Sequence, residues 1–325
     1  MSDSTDDPVF TELAVTAAEP IAQDIVRFEL RHPHGAALAP FTAGSHLPVI
    51  APGGAMRRYS LCNDPHEVDR YEIAVKRDAL GRGGSIGMAD EVRAGHRLRV
   101  ATPRSEFALA PRASRFLFIA GGIGITPILS MMRYLATRAS TGATTSFKLV
   151  YLTRDSGSTA FRDVIATQFA GSTTLHHDHG NLADAFDLWP LLEKPTNAHI
   201  HCCGPRALMD AVRDMSGHWP FGSVHFESFG VDAATRSHDV AFDVRLARSG
   251  RTIHVPATLS ILEALRAEGI GVRSSCEAGS CGSCRTGLVE GDVDHRDFVL
   301  GEHERESEIM VCCSRARSGA LTLDL

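Results

Sequence analysis

The stretch Cys276-Glu277-Ala278-Gly279-Ser280-Cys281-Gly282-Ser283-Cys284 sets three thiols at C-x4-C-x2-C spacing, and Cys312 follows 28 positions later. This is the spacing of the thiolates that hold a plant-type 2Fe–2S cluster. Gly279, Gly282 and Ser283 suit a tight loop, because small residues let backbone N–H groups turn toward the sulfides. A zinc site usually shows paired C-x2-C knuckles, and only one such pair is present. Cys312 and Cys313 both stand where a fourth ligand is needed, and spacing does not choose between them. A cluster of this type takes electrons singly, so the rest of the chain is expected to supply them.

Working outward, 325 residues predict two to three domains. Hydrophobic content of 43% and charged content of 22% are ordinary for a globular protein with a sizeable core. A net charge of −6 argues against nucleic acid as a partner. The uncharged run Phe116–Met132 is interrupted by Gly121, Gly122, Gly124 and Pro127. It is short of the ~20 apolar residues of a membrane span and reads as a buried strand entering a glycine loop and a helix. No basic segment with a following apolar stretch marks an export signal. Clustered cysteines in such a chain point to cofactor ligation in a reducing compartment, so the expected location is cytoplasmic.

The texture of the chain changes twice. Residues 1–8 read as a polar tail, and Val9–Pro111 show short strands with glycine and proline punctuation, such as Gln23–Leu30, Tyr71–Val75 and Arg97–Val100. That predicts a small antiparallel β-barrel with one helix near Ser85–Val92. From residue 112 strands and helices alternate: Phe116–Ala120, helix Ile128–Thr137, Phe147–Leu152 and His199–Cys203. This predicts an α/β domain with a parallel sheet over residues 112–229. Residues 230–239 are small and polar, a linker by composition. The last segment, 240–325, opens with strands Val240–Leu246 and Thr252–Val255 and a helix near Leu259–Glu268, then reaches the cysteine loop.

Four further sites carry possible chemistry. Gly121-Gly122-Ile123-Gly124-Ile125-Thr126-Pro127 follows an apolar strand, where backbone amides and a helix N-terminus can approach a pyrophosphate. Arg57-Arg58-Tyr59-Ser60 can clamp a phosphate and cover an aromatic ring. Gly81-Arg82-Gly83-Gly84-Ser85 makes a second anion site at a helix start. Cys203-Gly204-Pro205 ends a strand of the parallel sheet, where ligands bind in open sheets. After the next strand come Arg154 and Asp155: the aspartate is suited to ribose hydroxyls and repels a 2′-phosphate, the arginine does the opposite, and the pair leaves the choice open. His176, His177 and His179 around Asp178 read as a solvated turn rather than a metal site.

The order R-x-Y-S, G-R-G-G-S, G-G-x-G-x-T-P, C-G-P and a C-terminal plant-type ferredoxin resembles the phthalate dioxygenase reductase family; vanillate demethylase reductases are similar. The resemblance implies an FMN-binding barrel over 1–111, an NAD-binding domain over 112–229 and a β-grasp (α+β) ferredoxin domain over 240–325. It implies that Arg57, Arg58, Tyr59, Ser60, Arg82, Gly83, Gly84 and Ser85 hold the flavin. Gly121, Gly122, Gly124, Thr126, Asp155, Cys203, Gly204 and Pro205 are implied for the nucleotide, and Glu227 and Phe229 for closing over the flavin. Ser60, Thr126, Cys203 and Glu227 are implied next to the reacting rings. The family ending C-x-S-R-A aligns with Cys312-Cys313-Ser314-Arg315-Ala316, so the implied cluster ligands are Cys276, Cys281, Cys284 and Cys312.

The same resemblance implies NADH, in preference to NADPH, as the two-electron donor. FMN converts hydride into single electrons for the cluster. The implied outlet is a terminal, Rieske-type oxygenase, with no nucleic acid and no membrane as partner. Eight acidic residues against two arginines between Glu290 and Glu308 offer a docking face or a plain solvated surface. A different class, a redox-sensing binding module, predicts no sustained turnover; no DNA-binding or effector segment supports it.

Overall fold

The computed structural model describes residues 9–79, 83–230 and 238–325. The chain forms two compact units, Met1–His225 and Phe226–Leu325. The first unit begins with an antiparallel sheet: β1 (Phe10–Ala22), β2 (Ile25–Arg31), β3 (Ser45–Ile50), β4 (Met56–Ser60), β5 (Tyr71–Lys76), β6 (Arg97–Ala101) and β7 (Arg104–Ser105). Its strand order is β4-β3-β6-β1-β2-β5, with β7 on β3. The alternation read in the sequence has a physical use: Phe28, Leu30, Leu47, Val49, Ile73 and Val100 turn inward, and Met88 of helix α1 (Gly84–Glu91) closes one end. α1 starts one residue earlier than the sequence pattern, because left-handed Gly83 (φ 86°) serves as its N-cap.

The same unit continues with β8 (Arg115–Gly121), α2 (Ile125–Ser140), β9 (Ser146–Thr153), α3 (Arg162–Gln168), β10 (Thr173–His177), α4 (Trp189–Leu192), β11 (His199–Cys203) and α5 (Arg206–Met215), and its limit at His225 falls within β12 (Val224–Glu227). The sheet order is β10-β9-β8-β11-β12, and β10, β9, β8 and β11 run parallel. Phe118, Ile119 and Ala120 are fully buried, as a central parallel strand covered on both faces requires. One apolar cluster joins the layers: Ile25, Ala43, Cys62, Ala74 and Phe107 of the antiparallel part pack with Ile125, Ile128 and Cys203. Helix α2 runs longer at both ends than the pattern Ile128–Thr137 suggests.

The second unit contains β13 (Phe242–Leu246), β14 (Thr252–Val255), α6 (Ile261–Ala267), β15 (Arg285–Glu290), β16 (Val293–Asp294), β17 (Glu308–Met310), β18 (Arg315–Ala316) and β19 (Ala320–Leu323). The five-stranded sheet runs β14-β13-β19-β15-β17, with β13 and β19 parallel. Helix α6 starts at Ser260, whose hydroxyl accepts from Glu263 N while the Glu263 carboxylate accepts from Ser260 N, a complete capping box. Its buried Ile261, Leu262 and Leu265 join Val244, Val255 and Leu323 in the core. Arg315, only 5% exposed, donates to the carbonyls of Leu259, Val240 and Pro256 and lies over the Phe242 ring. It pins the start of the unit beside the strand that follows the fourth cysteine.

Candidate functional site

In the second unit the cysteine loop is built by backbone geometry. Gly279 (φ 78°) and Gly282 (φ 83°) adopt left-handed conformations, as does Glu277 (φ 53°). The strain at Glu277 is offset by its carboxylate, which accepts from Arg266 at 2.8 Å and from Ser274 at 3.0 Å. Backbone N–H groups then aim at sulfur: Ala278 and Ser280 donate to Cys276 Sγ, and Cys276 N donates to Cys281 Sγ, each at 3.4 Å. Cys276 and Cys281 touch, and Cys281 is pulled down to about 5 by the hydrogen bond from Cys276. The Cys284 thiol is pushed up, first by its hydrogen bond with Cys312 and then by burial. So Cys284 and Cys312 form a second touching pair beside the first. The Cys313 thiol also lies beside Cys312, but it donates to Met310 O at 3.8 Å and its Sγ is 2.7 Å from where a Cβ on Gly279 would stand. Four adjacent thiols with amides directed at them are a donor set that fits an iron–sulfur cluster. Cys284 and Cys312 lie on the buried side, Cys276 and Cys281 on the half-exposed side.

In the first unit, β4 pairs with β3 so that Tyr59 faces Leu47 and Ser60 faces His46. Arg57 and Tyr59 therefore share one side of the strand, Arg58 and Ser60 the other. The Tyr59 hydroxyl is buried without a hydrogen-bond partner, and burial, opposed by Arg57, raises its pKa to about 12. A buried phenol of this kind asks for a ligand acceptor or donor. A Cβ on Gly84 would lie 2.6 Å from Arg57 Nε, so only glycine lets the guanidinium rest against the start of α1. That helix start has no side-chain cap, and Ser85 Oγ instead accepts from Asp78 N at 3.2 Å. Uncapped amides beside an arginine form an anion cradle, which fits a flavin phosphate. Arg82 lies outside the described residues.

The nucleotide loop is equally specific. A Cβ on Gly124 would lie 2.1 Å from the Cys203 carbonyl oxygen, and one on Gly204 would lie 2.9 Å from Gly121 N and Cα. A Cβ on Gly121 would meet Pro205 Cδ at 2.5 Å. The G-G-x-G and C-G-P segments thus pack backbone on backbone at the C-terminal ends of β8 and β11, the strand ends where open sheets bind ligands. Gly122 takes φ 53°, and its carbonyl accepts from Tyr151 Oη at 3.1 Å. Thr126 Oγ1 closes the turn by donating to Ile123 O at 2.9 Å. Tyr151 gives no signal in the sequence, being one apolar residue of a buried strand. Cys203 is fully buried at the junction of the two layers. Asp155 sits just past β9; its Oδ1 accepts from Ser158 N at 2.8 Å, which lowers its pKa, so it stays negative. Glu227 is 8% exposed and Phe229 52% exposed. His177 bonds Thr153 and His176 bonds Asp184 O, so the histidines do not converge.

A flavin cradle, a nucleotide loop and a four-thiol loop in one chain define an NAD(P)H-dependent flavin iron–sulfur oxidoreductase. The chain matches the oxidoreductase FAD-binding domain over residues 12–109, the ferric reductase NAD binding domain over 114–170 and the 2Fe-2S iron-sulfur cluster binding domain over 244–317. It is 57% identical over 321 residues, 98% of either chain, to a phthalate 4,5-dioxygenase oxygenase reductase subunit of Pseudomonas putida. It is 37% identical over 320 residues, 97% of this chain and 99% of the relative, to a vanillate O-demethylase oxidoreductase of Pseudomonas sp. (strain HR199 / DSM 7063). Among solved structures, phthalate dioxygenase reductase matches with a TM-score of 0.75 and 52% identity, covering 97% of this chain and 98% of that one. The chain belongs to the phthalate dioxygenase reductase family. Its antiparallel flavin domain, parallel-sheet nucleotide domain and ferredoxin domain are those the motif order implied. Among the described residues no helix is long and apolar enough to cross a membrane.

Proposed function

We propose that the chain is the NADH-dependent reductase component of a two-component oxygenase system, with FMN as its flavin and a Rieske-type terminal oxygenase as its outlet. The observation that carries this is the presence, in one chain, of the Arg57–Gly84 anion cradle, the interlocked Gly121–Gly124 and Cys203–Pro205 segments, and four adjacent thiols. A bound flavin accepts a hydride and releases two electrons one at a time, which matches a nicotinamide to a one-electron cluster. Arg57 and the amides of Gly84 and Ser85 hold the flavin phosphate, and such an electropositive pocket favours the dianionic terminal phosphate of FMN over the diester of FAD. Tyr59 and Ser60 line the ring, with Glu227 and Phe229 closing over it. Gly121, Gly122, Gly124 and Thr126 hold the pyrophosphate, and Cys203 with Gly204 and Pro205 supports the nicotinamide. Asp155 keeps its charge and disfavours a 2′-phosphate, hence NADH. Cys276, Cys281, Cys284 and Cys312 ligate the cluster. We place the domain limits at 1–111, 112–229 and 240–325. Among the described residues no cysteine forms a disulfide, which supports a cytoplasmic location.

The test separates input from outlet. A chain ended after Phe229 keeps NADH oxidation with ferricyanide and loses delivery to an oxygenase; retained delivery shows that the cluster is not the outlet. Flavin released on denaturation is FMN by chromatography, and release of FAD refutes that assignment.

A further inference from the structure

Helix α2 leaves the nucleotide loop and buries Ile125, Ile128, Leu129, Met131, Met132 and Leu135. A second stripe interrupts that apolar surface: Ser130, Arg133, Tyr134 and Thr137 fall at i, i+3, i+4 and i+7, one face of a helix. All four touch the loop that follows the flavin strand β4. Ser130 Oγ donates to Asn63 O at 2.8 Å. Arg133 Nη1 donates to Cys62 O at 2.8 Å and to Glu72 Oε1 at 2.7 Å. Thr137 Oγ1 donates to Asp64, and the Tyr134 ring stacks on His66 with centroids 5.4 Å apart. Asp64 in turn accepts from His66 N at 3.0 Å. Glu72, 1% exposed, is also met by Arg27 at 2.8 Å and Arg70 at 3.5 Å.

Apolar residues alone could join these layers, and they already do so through the shared core. A fully paired polar array adds register: each bond holds only if helix and loop meet in one translation and one rotation. The two ends of that register are the sites themselves. Ser130 is four residues beyond Thr126, and Cys62 is two residues beyond Ser60. A helix is rigid over this distance, so the array sets where the nucleotide loop stands relative to the flavin strand. Hydride transfer needs its reacting atoms about 3–3.5 Å apart, and a displacement of about 1 Å costs on the order of 100-fold in rate.

We propose that Ser130, Arg133 and Thr137 are positioning residues for hydride transfer, holding α2 in the one register with Cys62–Asp64 and Glu72 that sets nicotinamide against flavin. The inference rests on the NADH-to-flavin reading above. It differs from a simple gluing role, which lowers stability and flavin retention but leaves the hydride step of the folded, loaded protein alone.

The experiment uses the full-length, flavin-loaded protein with Ser130→Ala and Thr137→Val, singly and together, and Thr137→Ser as the conservative control. Anaerobic rapid mixing with a series of NADH concentrations yields a limiting rate of flavin reduction and an apparent NADH Kd. The double variant is expected to lose about ten-fold or more in limiting rate, with Kd within about three-fold of the parent and flavin stoichiometric. Thr137→Ser keeps the hydroxyl and the parent rate. If the double variant does not fold, each single variant is expected to lose about three-fold, read the same way. A parent-like limiting rate in the variants overturns the proposal. So does a rate loss that tracks flavin loss, or a Thr137→Ser as slow as Thr137→Val. If the parent itself reduces no flavin with NADH, the underlying reading fails instead.

Discussion

Gly124→Ala tests the interlock between the nucleotide loop and the C-G-P turn. A methyl at this position would stand 2.1 Å from the Cys203 carbonyl oxygen, 2.4 Å from its carbonyl carbon and 2.8 Å from Gly204 N. All three are backbone atoms, so no rotamer change relieves the clash. Ordinary carbon–oxygen contact lies above 3 Å, so the loop and the turn must part by roughly 1 Å. Overpacking of this kind costs about 1–3 kcal/mol, and displacement of the loop proposed to hold the pyrophosphate by that distance costs on the order of 100-fold in hydride transfer. NADH–ferricyanide turnover and single-turnover flavin reduction are to be measured with a thermal melt on the same sample. The expected result is a flavin-loaded protein with a lower Tm and a limiting reduction rate down by about 100-fold. Gly121→Ala provides the comparison, because its methyl would meet the Pro205 ring at 2.5 Å and the flexible end of Leu208 at 2.8 Å. It is expected to lose less. Parent-like kinetics in Gly124→Ala would refute the idea that backbone contact between the two segments shapes the site.

Other outcomes follow from the same geometry. Cys203→Ala slows flavin reduction while flavin stays bound, and an unchanged rate removes Cys203 from the site. Cys312→Ser loses the iron–sulfur absorption, whereas Cys313→Ser keeps it, since Cys313 Sγ faces Met310 O rather than Cys284. The reverse pattern reassigns the fourth ligand. His46 is held down to about 4 by burial, with Arg58 and Arg104 adding repulsion. Folded His46 is neutral while the unfolded side chain binds a proton near 6.5, so its contribution is complete above pH 6.5 and is lost as pH falls toward 4. The loss amounts to roughly 3 kcal/mol. Urea unfolding followed by tryptophan fluorescence reports this unit, because Trp189 and Trp219 both lie within it. His46→Gln should flatten the slope over that range, and an unaltered slope rules His46 out as its source.

The legible parts of the sequence are those where chemistry and spacing act locally. Gly279 and Gly282 signal a curled loop because their own backbone conformation already demands glycine, and both are left-handed. His199–Cys203 and Thr252–Val255 coincide with the strands found, because their burial alternates or runs continuously within a few residues. The rest depends on partners distant in sequence. Gly124 looks like part of a phosphate loop, yet its lack of a side chain is required by Cys203, 79 positions later. Gly84 likewise makes room for a distant residue, though for the side chain of Arg57 rather than for backbone. Ser130, Arg133 and Thr137 read as ordinary polar positions on an amphipathic helix, since nothing local tells a solvated face from one that grips a loop. Tyr151 and Arg315 act through hydrogen bonds to backbone carbonyls, and a carbonyl leaves no trace in the sequence.

The central claim is a relay within one chain, from nicotinamide through flavin to the cluster. Anaerobic rapid mixing of the full-length protein with one equivalent of NADH, followed across the visible spectrum, tests it most directly. The flavin absorption should bleach first, and the iron–sulfur absorption should fall in a later phase as part of the flavin absorption returns. An iron–sulfur band that is reduced without a preceding flavin phase, or that stays oxidised after the flavin is fully reduced, contradicts the account.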